Sequence, residues 1–70
     1  MGEQPLKVEL EQEADGRWLA DVIDLPGVLA YGATRHEALT RAEALALRVI
    51  ADRLEHGEQA PELNNLFTAA

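Results

Sequence analysis

Four carboxylates come nearest to metal-dependent chemistry in this sequence: Asp15, Asp21, Asp24 and Glu43. Catalysis by bound metal ions requires oxygen ligands that converge on one point. Asp15 and Asp24 fit turn positions, whereas Asp21 belongs to a strand face and Glu43 to the apolar side of a helix. We therefore expect no metal site and no catalytic residue, and a metal-dependent nuclease is the most remote alternative.

The other residues that could do chemistry do not form a recognisable site. His36 and His56 stand near opposite ends of a predicted helix of ~20 residues and ~30 Å, so they cannot share a metal ion within one chain. The chain has no cysteine, which excludes disulfides and cysteine-based zinc sites. There is no glycine-rich phosphate loop and no nucleophile with a paired base. The sequence predicts a protein that is not an enzyme and needs no cofactor.

The charge of the chain favours a basic partner. The 70 residues include 13 acidic and 6 basic ones, and the formal net charge is −7. Such a surface repels phosphate backbones, so we expect no direct binding to nucleic acid. Most of the excess acid lies in residues 1–33, where Glu9, Glu11 and Asp21 are the candidate partner contacts. The alternative is that the charge only keeps a small protein soluble.

The first half of the chain has the pattern of a three-stranded meander. Residues 6–13 alternate apolar and charged side chains, which is the period of a half-buried strand. An Asp-Gly pair then favours a tight turn into a second strand over residues 17–23. In that strand we expect Trp18 on the core side and Asp21 on the other side. A short apolar run over residues 28–32 predicts the third strand.

The loop between the second and third strands contains Asp24, Leu25, Pro26 and Gly27. The Pro-Gly pair favours a tight structural turn, which is one interpretation of the loop. The other interpretation is that the rigid turn presents an exposed Leu25 to a partner protein. All four residues are therefore candidate partner contacts.

A long helix is predicted from about Arg35 to His56. Thr34 and Glu37 have the spacing of a capping box, in which each side chain accepts a hydrogen bond from the backbone N–H of the other residue. Gly57 suits the left-handed position that follows the last helical turn.

The apolar arc of this helix, roughly 200° wide, is more than one sheet needs. Domains of this size have marginal stability, so we expect one flank to contact a second subunit and give a dimer or tetramer. A short strand is expected over residues 63–68, after the helix. The predicted oligomer contacts are Leu45, Leu47, Leu54, Leu66 and Phe67.

Three segments in this order resemble the HicB-like antitoxin family. They are DGRWLADV at residues 15–22, the D-L-P-G loop, and GATRHEAL at residues 32–39, which opens the helix. The similarity covers about residues 8–62. It implies a β-β-β-α-β domain like a partial ribonuclease-H fold, and inhibition of a small HicA-type toxin that cleaves mRNA.

The resulting expectation is one α+β domain over residues 1–70, with an antiparallel three-stranded meander, one long helix and a short C-terminal strand. We expect no separate DNA-binding domain. No leader sequence and no membrane span is visible, which favours a cytoplasmic location. The expected function is non-catalytic binding that covers the active site of a basic toxin. The alternative is a stand-alone homo-oligomeric HicB-like protein with no toxin partner.

Overall fold

The computed structural model describes residues 6–58 of the chain. Its elements are β1 (Val8–Gln12), β2 (Trp18–Val22), β3 (Leu29–Gly32) and α1 (Arg35–Glu55). The strands form an antiparallel sheet in the order β1-β2-β3, and α1 packs mainly on β2 and β3. The predicted α+β fold, with a meander followed by one long helix, is confirmed.

The boundaries of the predicted elements differ from the structure by one or two residues at most, which is the usual scatter at element ends. The strand expected over residues 63–68 lies outside the described residues. The same holds for Leu66 and Phe67, the two oligomer contacts assigned to that strand.

The β1–β2 hairpin closes at the predicted Asp-Gly pair. The Glu13 N–H donates to the Arg17 carbonyl at 2.7 Å, and the Gly16 N–H donates to the Glu13 carbonyl at 2.9 Å. Gly16 has a φ of 93°, which a residue with a Cβ adopts only at a cost. The turn residues therefore fix the register in which β1 and β2 pair.

The β2–β3 loop buries Leu25 instead of exposing it. The Val28 N–H donates to the Leu25 carbonyl at 3.0 Å across Pro26 and Gly27, and Gly27 has a φ of 84°, which is the geometry of a type II turn. The Leu25 side chain has 0% exposure. The expectation of an exposed Leu25 is therefore wrong, because this turn directs the side chain into the core.

Asp24 ties the same loop to the first strand. Its Oδ2 accepts a hydrogen bond from the backbone N–H of Lys7 at 2.7 Å. Asp24, Pro26 and Gly27 remain exposed, so they can still contact a partner at the rim of the loop.

The core lies between α1 and one face of the sheet. Half-buried Trp18 packs against it, which confirms its predicted position on the helix side of β2. The small alanines of α1 recur every four residues, so the helix axis can approach the strands closely. The buried side chains are Ala20, Val22, Leu25, Val28, Ala38, Ala42, Ala46 and Ile50.

Both ends of α1 are capped by side-chain or backbone hydrogen bonds. The Thr34 Oγ1 accepts the Glu37 N–H at 3.0 Å, as predicted. The Glu37 carboxylate accepts the N–H of Ala33 at 2.6 Å, so the predicted partner, the Thr34 N–H, is wrong by one residue. Gly57 has a φ of 75° and ends the helix with the hydrogen-bond pair of a Schellman motif, as its position predicts.

Candidate protein-binding face

One face of the sheet has no element packed on it within residues 6–58. Residues 20 and 22 of β2 point into the core, so residues 19 and 21 point to the opposite side. Cross-strand partners share a face, and the register therefore defines the rest of that side. We call it the outer face, and its side chains are those of Glu9, Glu11, Leu19, Asp21, Leu29 and Tyr31.

The outer face changes from acidic to apolar across the three strands. One cross-strand row runs from Glu9 through Asp21 to Leu29, and the next runs from Glu11 through Leu19 to Tyr31. Leu29 and Tyr31 are 42% and 39% exposed. A face of this kind can bind a surface that combines lysine or arginine with apolar side chains.

The acidic part of this face consists of Glu9, Glu11 and Asp21, with Lys7 two residues before Glu9 on the same side of the strand. Glu9 and Asp21 are direct cross-strand partners, an arrangement in which like charges repel and destabilise the sheet. Among the described residues, neither carboxylate forms an ion pair. A lysine or arginine from a partner would relieve this repulsion. The register therefore brings the predicted residues Glu9 and Asp21 together in one cross-strand pair.

None of the apolar residues of the outer face, Ile23 and Leu29 among them, was assigned as a partner contact from the sequence. Ile23 follows β2 and is 42% exposed, and its odd position places it on the outer face with Leu29. The signal was present in the sequence, because residues 19, 21 and 23 alternate with the core residues of β2. Pairing β2 with β3 in the correct register would have added residue 29.

Arg17 stands at the corner of the outer face. Its guanidinium carbon lies 4.6 Å from the centroid of the Tyr31 ring, within the range of a cation–π interaction. Its Nε also donates to Asp15 Oδ2 at 2.8 Å. These contacts place the Arg17 guanidinium over the Tyr31 ring at the apolar edge of the face.

Arg17 also lowers the pKa of the Asp15 carboxyl below its ordinary value of 3.8. The largest cause is the hydrogen bond from the Arg17 backbone N–H to Asp15 Oδ1, at 3.0 Å. The hydrogen bond from the guanidinium and its positive charge act in the same direction. Asp15 in the hairpin turn thus contacts Arg17, and Arg17 in turn contacts Tyr31.

The Asp15–Arg17 contacts predict a pH-dependent contribution to stability. A carboxyl group whose pKa is lower in the folded state stabilises the fold above its unfolded pKa, and the contribution is lost as pH falls through the folded pKa. The urea midpoints of the wild type and of Asp15→Asn should therefore differ most near neutral pH and converge below about pH 3.8. A difference that stays constant with pH would contradict this assignment.

The predicted oligomer contacts on α1 separate into two groups. Leu45 is half-buried against the core, so it has less surface than the other two leucines to offer a second subunit. Leu47 and Leu54 are 60% and 52% exposed, and their spacing of seven residues places them on one flank of the helix.

An apolar groove runs between this flank and β1. It arises because α1 covers β2 and β3 more fully than β1. Its volume is about 320 Å³. The residues that line it are Leu6, Val8, Val22, Glu43, Ala46 and Leu47.

The four carboxylates considered for metal chemistry lie apart. Asp21 is on the outer face, whereas Glu43 lines the groove on the helix side of the sheet. Asp15 is held in the hairpin turn by Arg17, and Asp24 is held by the Lys7 N–H. In the part of the chain that the structure describes, no three His, Cys, Asp or Glu side chains are grouped so that they could hold a metal ion.

The chain matches no protein-family model, no curated protein and no solved structure. Its resemblance to HicB-like antitoxins therefore stays a prediction from the three sequence segments. Within residues 6–58, no helix combines the length and the apolar character that crossing a membrane would require.

Proposed function

We propose that this protein is a non-catalytic binding module, an antitoxin that neutralises a HicA-type mRNA-cleaving toxin by covering its active site. The observation that carries the proposal is the outer face, where Glu9 and Asp21 oppose each other, neither in an ion pair within residues 6–58, beside exposed Leu29 and Tyr31. The three sequence segments that resemble HicB-like antitoxins supply the class of partner.

The charge on the outer face suits a partner that binds RNA. A protein that cleaves RNA needs lysine and arginine side chains to hold the phosphate backbone. The carboxylates of Glu9, Glu11 and Asp21 would occupy these cations in place of phosphates. Since surface charge pairs are screened by ions, the association should weaken as the salt concentration rises.

The apolar half of the face would contribute the burial that makes such a complex stable. Leu29, Tyr31 and Ile23 are each about two-fifths exposed. Tyrosine is among the residue types that contribute most to binding at protein interfaces, and apolar neighbours help to exclude water around it. The exposed loop residues Asp24, Pro26 and Gly27 lie next to this half in the chain and would form the rim.

Reversal of the charge on the acidic row tests the proposal. The double variant Glu9→Lys/Asp21→Lys keeps two like charges opposite each other, so the cross-strand repulsion within the sheet is retained. We expect it to lower the affinity for the toxin by about 100-fold or more. The measurement is inhibition of RNA cleavage by a small basic toxin that is co-expressed with this chain.

The matched control is Glu55→Lys/Glu58→Lys, which changes the net charge equally at exposed positions away from the outer face. It should inhibit the toxin nearly as well as the wild type does. Equal losses in both double variants would show that only net charge matters. Full inhibition by Glu9→Lys/Asp21→Lys would remove the outer face from the mechanism.

A stand-alone homo-oligomer with no toxin partner is the second candidate function. The observation that favours it is the flank of α1, where Leu47 and Leu54 are both more than half exposed. A stable oligomer in sedimentation experiments, together with no inhibition of the toxin, would favour this candidate over the antitoxin.

A further inference from the structure

We propose that the free edge of β1, with the groove beside it, takes a β-strand of the partner protein in which apolar and basic side chains alternate. The inference rests on the proposed function, since the partner is the same basic protein. It adds how that partner is held: by backbone hydrogen bonds along one strand, in addition to charge on the outer face.

The backbone of β1 offers hydrogen-bonding groups that no residue in the described part of the chain, 6–58, pairs with. The Ile23 N–H donates to the Lys7 carbonyl at 3.1 Å, and the Glu13 N–H donates to the Arg17 carbonyl at 2.7 Å. The odd-numbered residues of β1 thus direct their backbone groups toward β2. In an antiparallel pair, the even-numbered residues then direct theirs outward. Within residues 6–58, no strand pairs with this outward edge of Val8–Gln12.

The other edge of the sheet is less open to strand addition. Tyr31 belongs to the residues of β3 whose backbone groups point away from β2. Its carbonyl already accepts a hydrogen bond from Arg41 Nη1 at 3.1 Å. A charged side chain of this kind on an edge is a common protection against strand pairing. On the β1 edge, no side chain among the described residues hydrogen-bonds to the outward backbone groups of residues 8, 10 and 12.

The groove would receive one set of side chains from the added strand. Successive side chains of a strand point to opposite faces, so every second one would lie on the helix side of the sheet, next to Val8 and Leu47. The lining is apolar except for Glu43. Aliphatic side chains at these positions would cover Leu47, which is otherwise 60% exposed.

The remaining side chains of the added strand would lie on the outer face beside Glu9 and Glu11. Cross-strand neighbours of opposite charge stabilise a sheet and like charges destabilise it, so lysine or arginine is favoured there. A second copy of β1 and the residue before it would bring Lys7 together with Glu9 and Glu11, so its charge on this side would be net negative like that of the edge it meets. Residues 59–70 of this chain contain no lysine or arginine. Charge complementarity therefore favours a basic strand from another protein.

The probe for this proposal is a short labelled peptide in which valine and lysine alternate, titrated with the full chain and followed by fluorescence anisotropy. We expect it to bind, and a peptide in which valine and glutamate alternate not to bind. The variant Glu9→Lys/Glu11→Lys should reverse this preference. Binding of neither peptide, or equal binding of both, would overturn the proposal.

Two matched pairs of variants test the backbone edge and the groove. Gln12→Pro removes one outward N–H and should weaken peptide binding roughly tenfold relative to Gln12→Ala. Leu47→Asp should weaken it by about tenfold or more, whereas the similarly exposed Leu54→Asp, outside the groove lining, should have little effect. Equal affinities within either pair would contradict strand addition.

The same variants separate this inference from the proposed function. If Gln12→Pro and Gln12→Ala inhibit the toxin equally while Glu9→Lys/Asp21→Lys does not, the outer face binds the toxin without strand addition. A change of solution mass in Leu47→Asp would identify a second copy as the occupant. If Leu47→Asp lowers the melting temperature and the wild-type chain binds no peptide, the occupant of the groove would be a segment of this chain itself. Each of these results would overturn the inference.

Discussion

Replacement of Gly32 by alanine is expected to destabilise the fold by ~3 kcal/mol or more, since overpacking against rigid groups is costly. A Cβ at this position would overlap the backbone nitrogen of Ala38 and lie 2.9 Å from the Ala38 Cα. Both atoms belong to the first turns of α1, which the Thr34 cap holds in place. Backbone atoms cannot rotate away as a side chain can, so β3 and α1 would have to separate.

The expected loss at Gly32 can be measured by urea unfolding, with Trp18 fluorescence as the signal. The matched control is Gly27→Ala. Gly27 has a φ of 84° and nothing within 4 Å of an added Cβ, so its substitution should cost only about 1–2 kcal/mol of backbone strain. If Gly32→Ala costs no more than Gly27→Ala, the close approach of strand and helix is incorrect.

The strands and the helix could be predicted because the signals for them are local. Alternation over residues 6–13 specifies a half-buried strand without reference to the rest of the chain. The Thr34 cap and Gly57 act within one helical turn of the ends of α1. Each of these signals depends only on residues that are close in sequence, so it can be recognised without knowing the tertiary structure.

The site could be predicted only in part, because its geometry depends on contacts between elements. Glu9 and Asp21 were correctly placed on the side away from the helix by alternation alone. Their direct opposition, and the neighbouring position of Leu29, follow from the register of all three strands. Gly32 is a similar case, since no local pattern indicates that α1 passes within contact distance of β3.

Leu25 shows the limit of local signals most clearly. The Pro-Gly pair correctly predicts a tight turn, but it does not determine which side of the turn faces the core. The direction depends on the additional hydrogen bond from the Leu25 N–H to the Val22 carbonyl, at 3.0 Å, and on the space that α1 leaves beneath the loop. Both are tertiary features.

Leu25→Ala is accordingly expected to lower the free energy of unfolding by roughly 3 kcal/mol, the usual cost of truncating a fully buried leucine. Such a loss is a large fraction of the stability of a chain this small. The control is Leu47→Ala, at a leucine that is 60% exposed, where a change within about 0.5 kcal/mol is expected. Urea midpoints of the two variants provide the comparison.

The same experiment decides between the two interpretations of the loop. A leucine that served as an exposed partner contact would tolerate alanine with no change in the urea midpoint, and the loss would appear only in affinity for the toxin. With Leu25 in the core, the main effect of the substitution is a lower free energy of unfolding. At low temperature, where the variant stays folded, its affinity for the toxin should fall only if the loop changes position. An unchanged urea midpoint in Leu25→Ala would therefore return Leu25 to the binding surface and remove it from the core.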